Sequence, residues 1–287
     1  MEYPTDVPGL FSLGETQLTV AEWRKVLLYS NFPPRCVLER LTFCKATRGK
    51  EHEFIVLYFR HWNASVPATA RLIVERALNP YQMDGRSMIM HSSSFSALQI
   101  SSLISPTSLQ TSAIDSVLIT SNTVHSHWET YLGGRYGSYK TLCTLEFSAT
   151  SCPSATQISV LLFVINRHAP DYHLWKFQCY WFAMTIWETI KQLFSGYVEA
   201  AWKPGRSQCF GFNAVDMGDS VKVVCQEYVD EWTRFDNEAE KEKQPEQERQ
   251  TKQKCRAEVA RAQQVNPWWN RTMMTMLQLW AAAFDSY

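Results

Sequence analysis

The chain has no surplus of charge. Its 28 lysines and arginines are matched by 28 aspartates and glutamates, so the formal net charge at pH 7 is zero. A general nucleic-acid binder needs a basic footprint from which counterions are released, and this balance excludes that class. Long apolar runs are missing too. No stretch approaches the roughly 18 apolar residues of a membrane span, and the best candidate, Ile158 to Ile165, is far shorter. The first residues, Met1-Glu-Tyr-Pro-Thr-Asp6, lack the basic start and apolar core of an export signal, which sets the expectation of a cytoplasmic protein. In such a compartment the eight scattered cysteines are expected to be reduced thiols rather than a disulfide framework. No internal repeat is present.

What the chain does have is enough length and apolar content for a real core. Of 287 residues, 45% are hydrophobic and 13% aromatic, which suits one globular domain with an appendage. Thr19 and Glu22 have the spacing of a capping box ahead of a short helix, Val20 to Ser30. His52 to Arg60 is rich in β-branched and aromatic residues, and Ala70 to Arg76 resumes that pattern after a polar break containing Asn63 and Pro67. The two runs read as an antiparallel hairpin. Ser116 to Ser121 and Thr141 to Phe147 read as further strands, and Ser220 to Cys225 as a last one. Ser154 and Gln157 form a second capping-box pattern, ahead of a buried helix over Ile158 to Ile165, with a strand as the competing reading. From Cys179 onward, Phe182, Ile186, Ile190 and Leu193 trace one apolar stripe of an α-helix, and Gly196 suits its end.

Composition divides the chain at about residue 225. Residues 1–225 are expected to form the globular domain. Residues 226–287 form a charged helical tail, broken once at Pro245, that ends in an apolar segment containing Trp268, Trp269, Met273, Met274, Met276, Leu277 and Trp280. That end has three readings: packing on the domain, docking on a protein partner or a second copy, and contact with a membrane interface. The few basic residues nearby disfavour the last.

One position stands out chemically. A cysteine in the first turn of a helix faces free N–H groups and the positive end of the helix dipole, both of which favour the nucleophilic thiolate. Cys179 occupies such a position. His52, at the head of the strongest strand, supplies an imidazole, and thiol catalysis needs the two close in space rather than in sequence. His168 and His173, in the loop before the Cys179 helix, are alternative bases. His125, His127, Cys143 and Cys152 are zinc-ligand types at spacings that fit no common zinc pattern. Tyr131-Leu-Gly-Gly-Arg-Tyr-Gly137 lacks the Lys-Ser/Thr of a phosphate loop and reads as a turn.

Three stretches carry a resemblance: Glu51-His-Glu-Phe-Ile-Val-Leu-Tyr58, Ala70-Arg-Leu-Ile-Val-Glu-Arg76, and Tyr172-His-Leu-Trp-Lys-Phe-Gln-Cys-Tyr-Trp-Phe-Ala183. Their order, a histidine on a strand, a hairpin, then a cysteine at a helix start, is similar to the circularly permuted papain-like group. That group includes lecithin:retinol acyltransferase-like proteins and bacterial cell-wall amidases of similar build. Gln178 stands where that group more often has Asn. The same stretches, with the charged tail, also resemble a family of uncharacterised proteins from mushroom-forming fungi, which carries no assigned activity. The first resemblance implies an α+β fold, a small antiparallel sheet packed on helices, with a long charged C-terminal helical extension. It implies a thiol hydrolase or acyltransferase acting on an amide, ester or thioester, its partner an acyl or peptide substrate. Cys179 would be the nucleophile, His52 the base, Glu75 on the return strand the group that orients His52, and Gln178 a neighbour of the oxyanion. It implies no metal or organic cofactor. The alternative is a non-catalytic module of the same fold that binds a protein partner, or itself, through residues 226–287.

Overall fold

A computed structural model of the chain describes residues 7–29, 36–47, 52–61, 68–78, 110–120, 127–148, 151–173, 178–202, 217–265 and 275–276. The chain divides into two compact units, Met1–Trp232 and Thr233–Tyr287. The first is an α+β unit built on an antiparallel sheet. Its strands are β1 (Thr16–Thr19), β2 (Cys36–Ala46), β3 (Glu53–His61), β4 (Thr69–Leu78), β5 (Gln110–Ile119), β6 (Tyr139–Phe147), β7 (Asp171–His173) and β8 (Tyr197–Glu199). They pair in the order β1-β5-β4-β3-β2-β6-β8, with β7 added to β5.

The central strand β3 is buried on both faces, which explains its unbroken apolar sequence: each face has its own cover. On one face lie α1 (Val20–Tyr29), α3 (Ala155–His168) and α4 (Cys179–Leu193), packed on Ile55, Leu57 and Phe59 of β3 and Leu72 and Val74 of β4. On the other, α2 (Trp128–Tyr136) sets Trp128 and Leu132 against Phe54, Val56, Tyr58 and Ile73. The period of two along each strand thus assigns every side chain to one of two separate cores.

Both capping boxes form. The Thr19 N–H donates to Glu22 Oε2 at 2.8 Å and the Glu22 N–H to Thr19 Oγ1 at 3.2 Å; Ser154 and Gln157 exchange the same bonds at the start of α3. The capped α3 is a helix throughout Ala155–His168 despite its β-branched content, buried on the sheet through Ile158, Leu161, Leu162 and Ile165.

Three sequence expectations are corrected. Tyr131 to Gly137 is not a turn: Trp128–Tyr136 is helical and only Gly137, at φ 68°, ends it. Two mid-helix glycines cost about 1 kcal/mol each; burial of Trp128 and Leu132, four residues apart, outweighs them. Ser220 to Cys225 is not a strand but the opening of α5 (Met217–Val265). Val221, Val224, Tyr228 and Glu231 are its buried positions, at spacings of three, four and three, so the valines follow a helical period. The break expected at Pro245 is absent too: α5 continues through it. The apolar face expected over Trp268 to Trp280 lies, apart from exposed Met276, outside the described residues. Among the described residues no helix is long and apolar enough to cross a membrane.

One buried ion pair ties the layers together. Arg76 of β4 and Asp115 of β5 are direct cross-strand partners, and both side chains are fully shielded from solvent. Arg76 donates to the two Asp115 oxygens at 2.6 and 2.7 Å and to the Ala169 carbonyl, just past α3, at 2.7 Å. Asn166 of α3 donates to Asp115 at 2.9 Å. The guanidinium also lies 5.0 and 4.9 Å from the ring centroids of Trp181 and Phe182, in the first turn of α4. Replacing Arg76 by Met would leave a buried carboxylate without its counter-ion, a change worth roughly 3–5 kcal/mol. Urea denaturation of Arg76→Met is expected to show a loss of that size; a loss below roughly 1 kcal/mol, within the range of surface substitutions, would mean the pair is not structural.

Candidate active site

The hairpin register decides which side chains meet. In β3 and β4, Ile55 faces Val74 and Val56 faces Ile73. Carried one step outward, this register sets Phe54 opposite Glu75. His52 is two residues from Phe54 and shares its face, so His52 and Glu75 are diagonal neighbours. The His52 Nε2 and Glu75 Oε2 are 2.9 Å apart. Cys179 is the other group that acts on this imidazole: it stands close enough to His52 to help raise its pKa. The structure thus brings Cys179, His52 and Glu75 together, from the start of α4, the head of β3 and the far end of β4.

Helix α2 closes the site from the Glu75 side. Arg135 donates to Glu75 Oε1 at 3.0 Å and the Tyr136 hydroxyl to Glu75 Oε2 at 3.0 Å. The Tyr136 ring stacks on Phe54 at 4.0 Å between centroids, and His52 lies nearly parallel to both rings at 6.1 and 6.2 Å. Arg135 also reaches Glu15, which accepts from Tyr131 at 2.6 Å. With three donors on one carboxylate, Glu75 is fixed in orientation, and it fixes the imidazole in turn.

A fourth side chain enters from the opposite face of β3. Glu53, 4% exposed, accepts from the Cys179 thiol at 3.4 Å through Oε2, and its Oε1 is 3.7 Å from the Lys45 ammonium of β2. Cys179 itself is half-buried. Gln178 is the N-cap residue of α4, buried, and its side chain makes no capping bond to the helix.

The electrostatics follow from these contacts. Burial alone would lower the His52 pKa, but interactions with Cys179 and Glu75 outweigh it, and the value rises to about 10. Burial would raise Glu75; the His52 and Arg135 contacts prevail and hold it at about 2. His52 is therefore an imidazolium near neutral pH. The sequence assigned His52 the role of base; its raised pKa favours the protonated ring at the start of a reaction. Burial raises the pKa of three thiols away from the site, Cys44 to about 12, and Cys152 and Cys225 in the same direction.

The alternatives go elsewhere. His168 stacks on Trp181 and pairs with Glu227 of α5 at 3.8 Å; the His173 side chain and His125 lie outside the described residues. Cys143 and Cys152 donate to the carbonyls of Ala200 and Ser148, and no group of three metal-ligand types converges among the described residues. A cavity of about 720 Å³ on the α2 face is lined by Arg40, Tyr58, Arg71 and Trp128 and by none of the four site residues. Sequence reasoning did not identify Glu53, Lys45, Arg135 or Tyr136 as site residues. The only local signal for Glu53 was its place beside His52, and in a strand that adjacency sends it to the other face. Comparison with family models, curated protein sequences and solved structures finds no match to this chain.

The His52–Glu75 pair makes stability depend on pH. A histidine raised on folding contributes in full below its ordinary value of 6.5 and loses that contribution as pH rises towards about 10. A carboxylate held down to about 2 contributes above its ordinary 4.5 and loses it as pH falls towards about 2. The stability gap between wild type and Glu75→Gln is thus expected to be widest between pH 4.5 and 6.5 and to narrow on both sides. Denaturation midpoints across that range test it; a gap independent of pH would contradict the pairing.

Proposed function

We propose that the protein is a thiol-dependent hydrolase or acyltransferase of permuted papain-like build, acting on an amide, ester or thioester. The observation that supports this most is the 2.9 Å contact between His52 and Glu75, with Cys179 near enough to the imidazole to help raise its pKa. Cys179 opens α4, where the helix dipole and first-turn N–H groups favour an anion. The element order also agrees with that build: histidine at the head of one strand, carboxylate on its hairpin partner, cysteine at a later helix start.

In this reading His52 enters the reaction as the acid. The Cys179 thiolate attacks the carbonyl carbon; a carbon–sulfur bond forms and the carbonyl π pair moves onto oxygen. The N–H groups of the first turn of α4, with the Gln178 side chain beside them, stabilise that oxyanion. Collapse expels the leaving amine, alcohol or thiol, which takes the His52 proton. The neutral imidazole then removes a proton from water, or from an acceptor, as that nucleophile attacks the thioester, and the thiolate–imidazolium pair returns. Glu75 stays ionised throughout and keeps the imidazole aimed.

Alkylation by iodoacetamide, followed at each cysteine across pH, tests the pair. Cys179 is expected to react fastest near neutral pH and to lose that advantage in His52→Ala, with Cys44 among the slowest. Uniform reactivity of the cysteines, or a Cys179 rate indifferent to His52, would remove the basis for a thiol enzyme.

A further inference from the structure

The Cys179 sulfur has two polar neighbours of opposite effect. On one side stands His52, whose raised pKa favours an imidazolium, a charge that would stabilise a thiolate. On the other stands the Glu53 carboxylate, to which the thiol donates at 3.4 Å. Glu53 is not a solvated surface acid that happens to lie nearby: it is 4% exposed, and Lys45, its ion-pair partner, has a side chain 7% exposed. A buried, charged acceptor holds a proton donor more firmly than a neutral one does. It also repels the negative charge that ionisation would put on sulfur, in surroundings where that repulsion is weakly screened. The other charged groups at this end of the sheet, Glu75 of β4 and Arg135 of α2, are bonded to each other and to His52 rather than to the sulfur.

We infer that Glu53 is a positioning residue that competes with His52 for Cys179, holding the sulfur as a hydrogen-bonded thiol until it is released for attack. The inference rests on the thiol-enzyme reading and adds a brake to it. Two states alternate. In one, the Cys179 proton bridges to Glu53, and the sulfur is a poor nucleophile. In the other, that bridge is broken, the proton has left for solvent, and the thiolate faces His52. The Lys45 ammonium, 3.7 Å from Glu53 Oε1, draws the carboxylate towards β2 and so holds the acceptor in place. A substrate group that donates a hydrogen bond to Glu53 Oε2 would displace the thiol and free it, so the brake favours substrates with an N–H or O–H next to the scissile carbonyl.

The test is the iodoacetamide rate at Cys179 near neutral pH, located by peptide mass spectrometry, in wild type, Glu53→Gln, His52→Ala and the Glu53→Gln/His52→Ala double variant. Loss of a charged acceptor is expected to speed Glu53→Gln roughly tenfold over wild type. That gain should vanish in the double variant, because it works through the thiolate–imidazolium pair; simple exposure of the cysteine would survive loss of His52. Should Glu53→Gln fail to fold, Lys45→Met/Glu53→Met removes the buried pair together, a replacement that folded proteins tolerate, and the same acceleration is expected. An unchanged or slower rate overturns the brake. If His52→Ala is slow in that case, the thiol-enzyme reading stands without it; if His52→Ala matches wild type, both fall.

Discussion

Arg76 is where sheet and helices are fixed to each other. Its guanidinium takes Asp115 from the next strand, the carbonyl at the end of α3, and the rings of Trp181 and Phe182 at the start of α4. A planar cation with five donors can satisfy a carboxylate and a carbonyl at once while its faces rest on aromatic rings. The consequence reaches the chemistry. Trp181 is two residues from Cys179, so the contact that seats the helix also sets the position of the sulfur relative to the strand ends. Arg76 and Glu75 are consecutive and point to opposite faces: one anchors the cysteine helix, the other orients the histidine.

The site thus straddles the end of the sheet. From the α2 side come His52, Glu75, Arg135 and Tyr136, layered by the Phe54–Tyr136 stack; from the α4 side come Cys179, Glu53 and Lys45. Neither core alone contains both Cys179 and His52. His52, just outside β3 and 26% exposed in its side chain, is the group both sides share. Its raised proton affinity reflects that position: interactions with Cys179 and Glu75 outweigh the cost of burying a cation.

Local signals in the sequence carried much of this. The capping boxes at Thr19 and Ser154, the stripe from Phe182 to Ile190 and the β3–β4 hairpin were legible because each rests on a period or a spacing within a few residues. Cys179 was legible for the same reason, as a thiol in a first helical turn. What was not legible depended on partners far along the chain. Helix α2 contains two adjacent glycines and exists because Trp128 and Leu132 have a sheet to cover. Val221 and Val224 looked like strand residues until the spacing to Tyr228 and Glu231 showed a buried helical face. Glu75 could be nominated from its strand, but its union with His52 required the register, and Glu53 required knowing that the helix start lies against the opposite face of β3.

The central claim is that Cys179 attacks an acyl carbon with the help of His52. The most direct measurement is acylation by an activated ester, p-nitrophenyl acetate, with release of p-nitrophenol followed in time and the acetyl group located by peptide mass spectrometry. The account predicts a rapid burst in wild type, an acetyl group on Cys179, and loss of the burst in Cys179→Ala and in His52→Ala. Acetylation that spreads over other cysteines and lysines, or a burst that persists without Cys179 or His52, would contradict it.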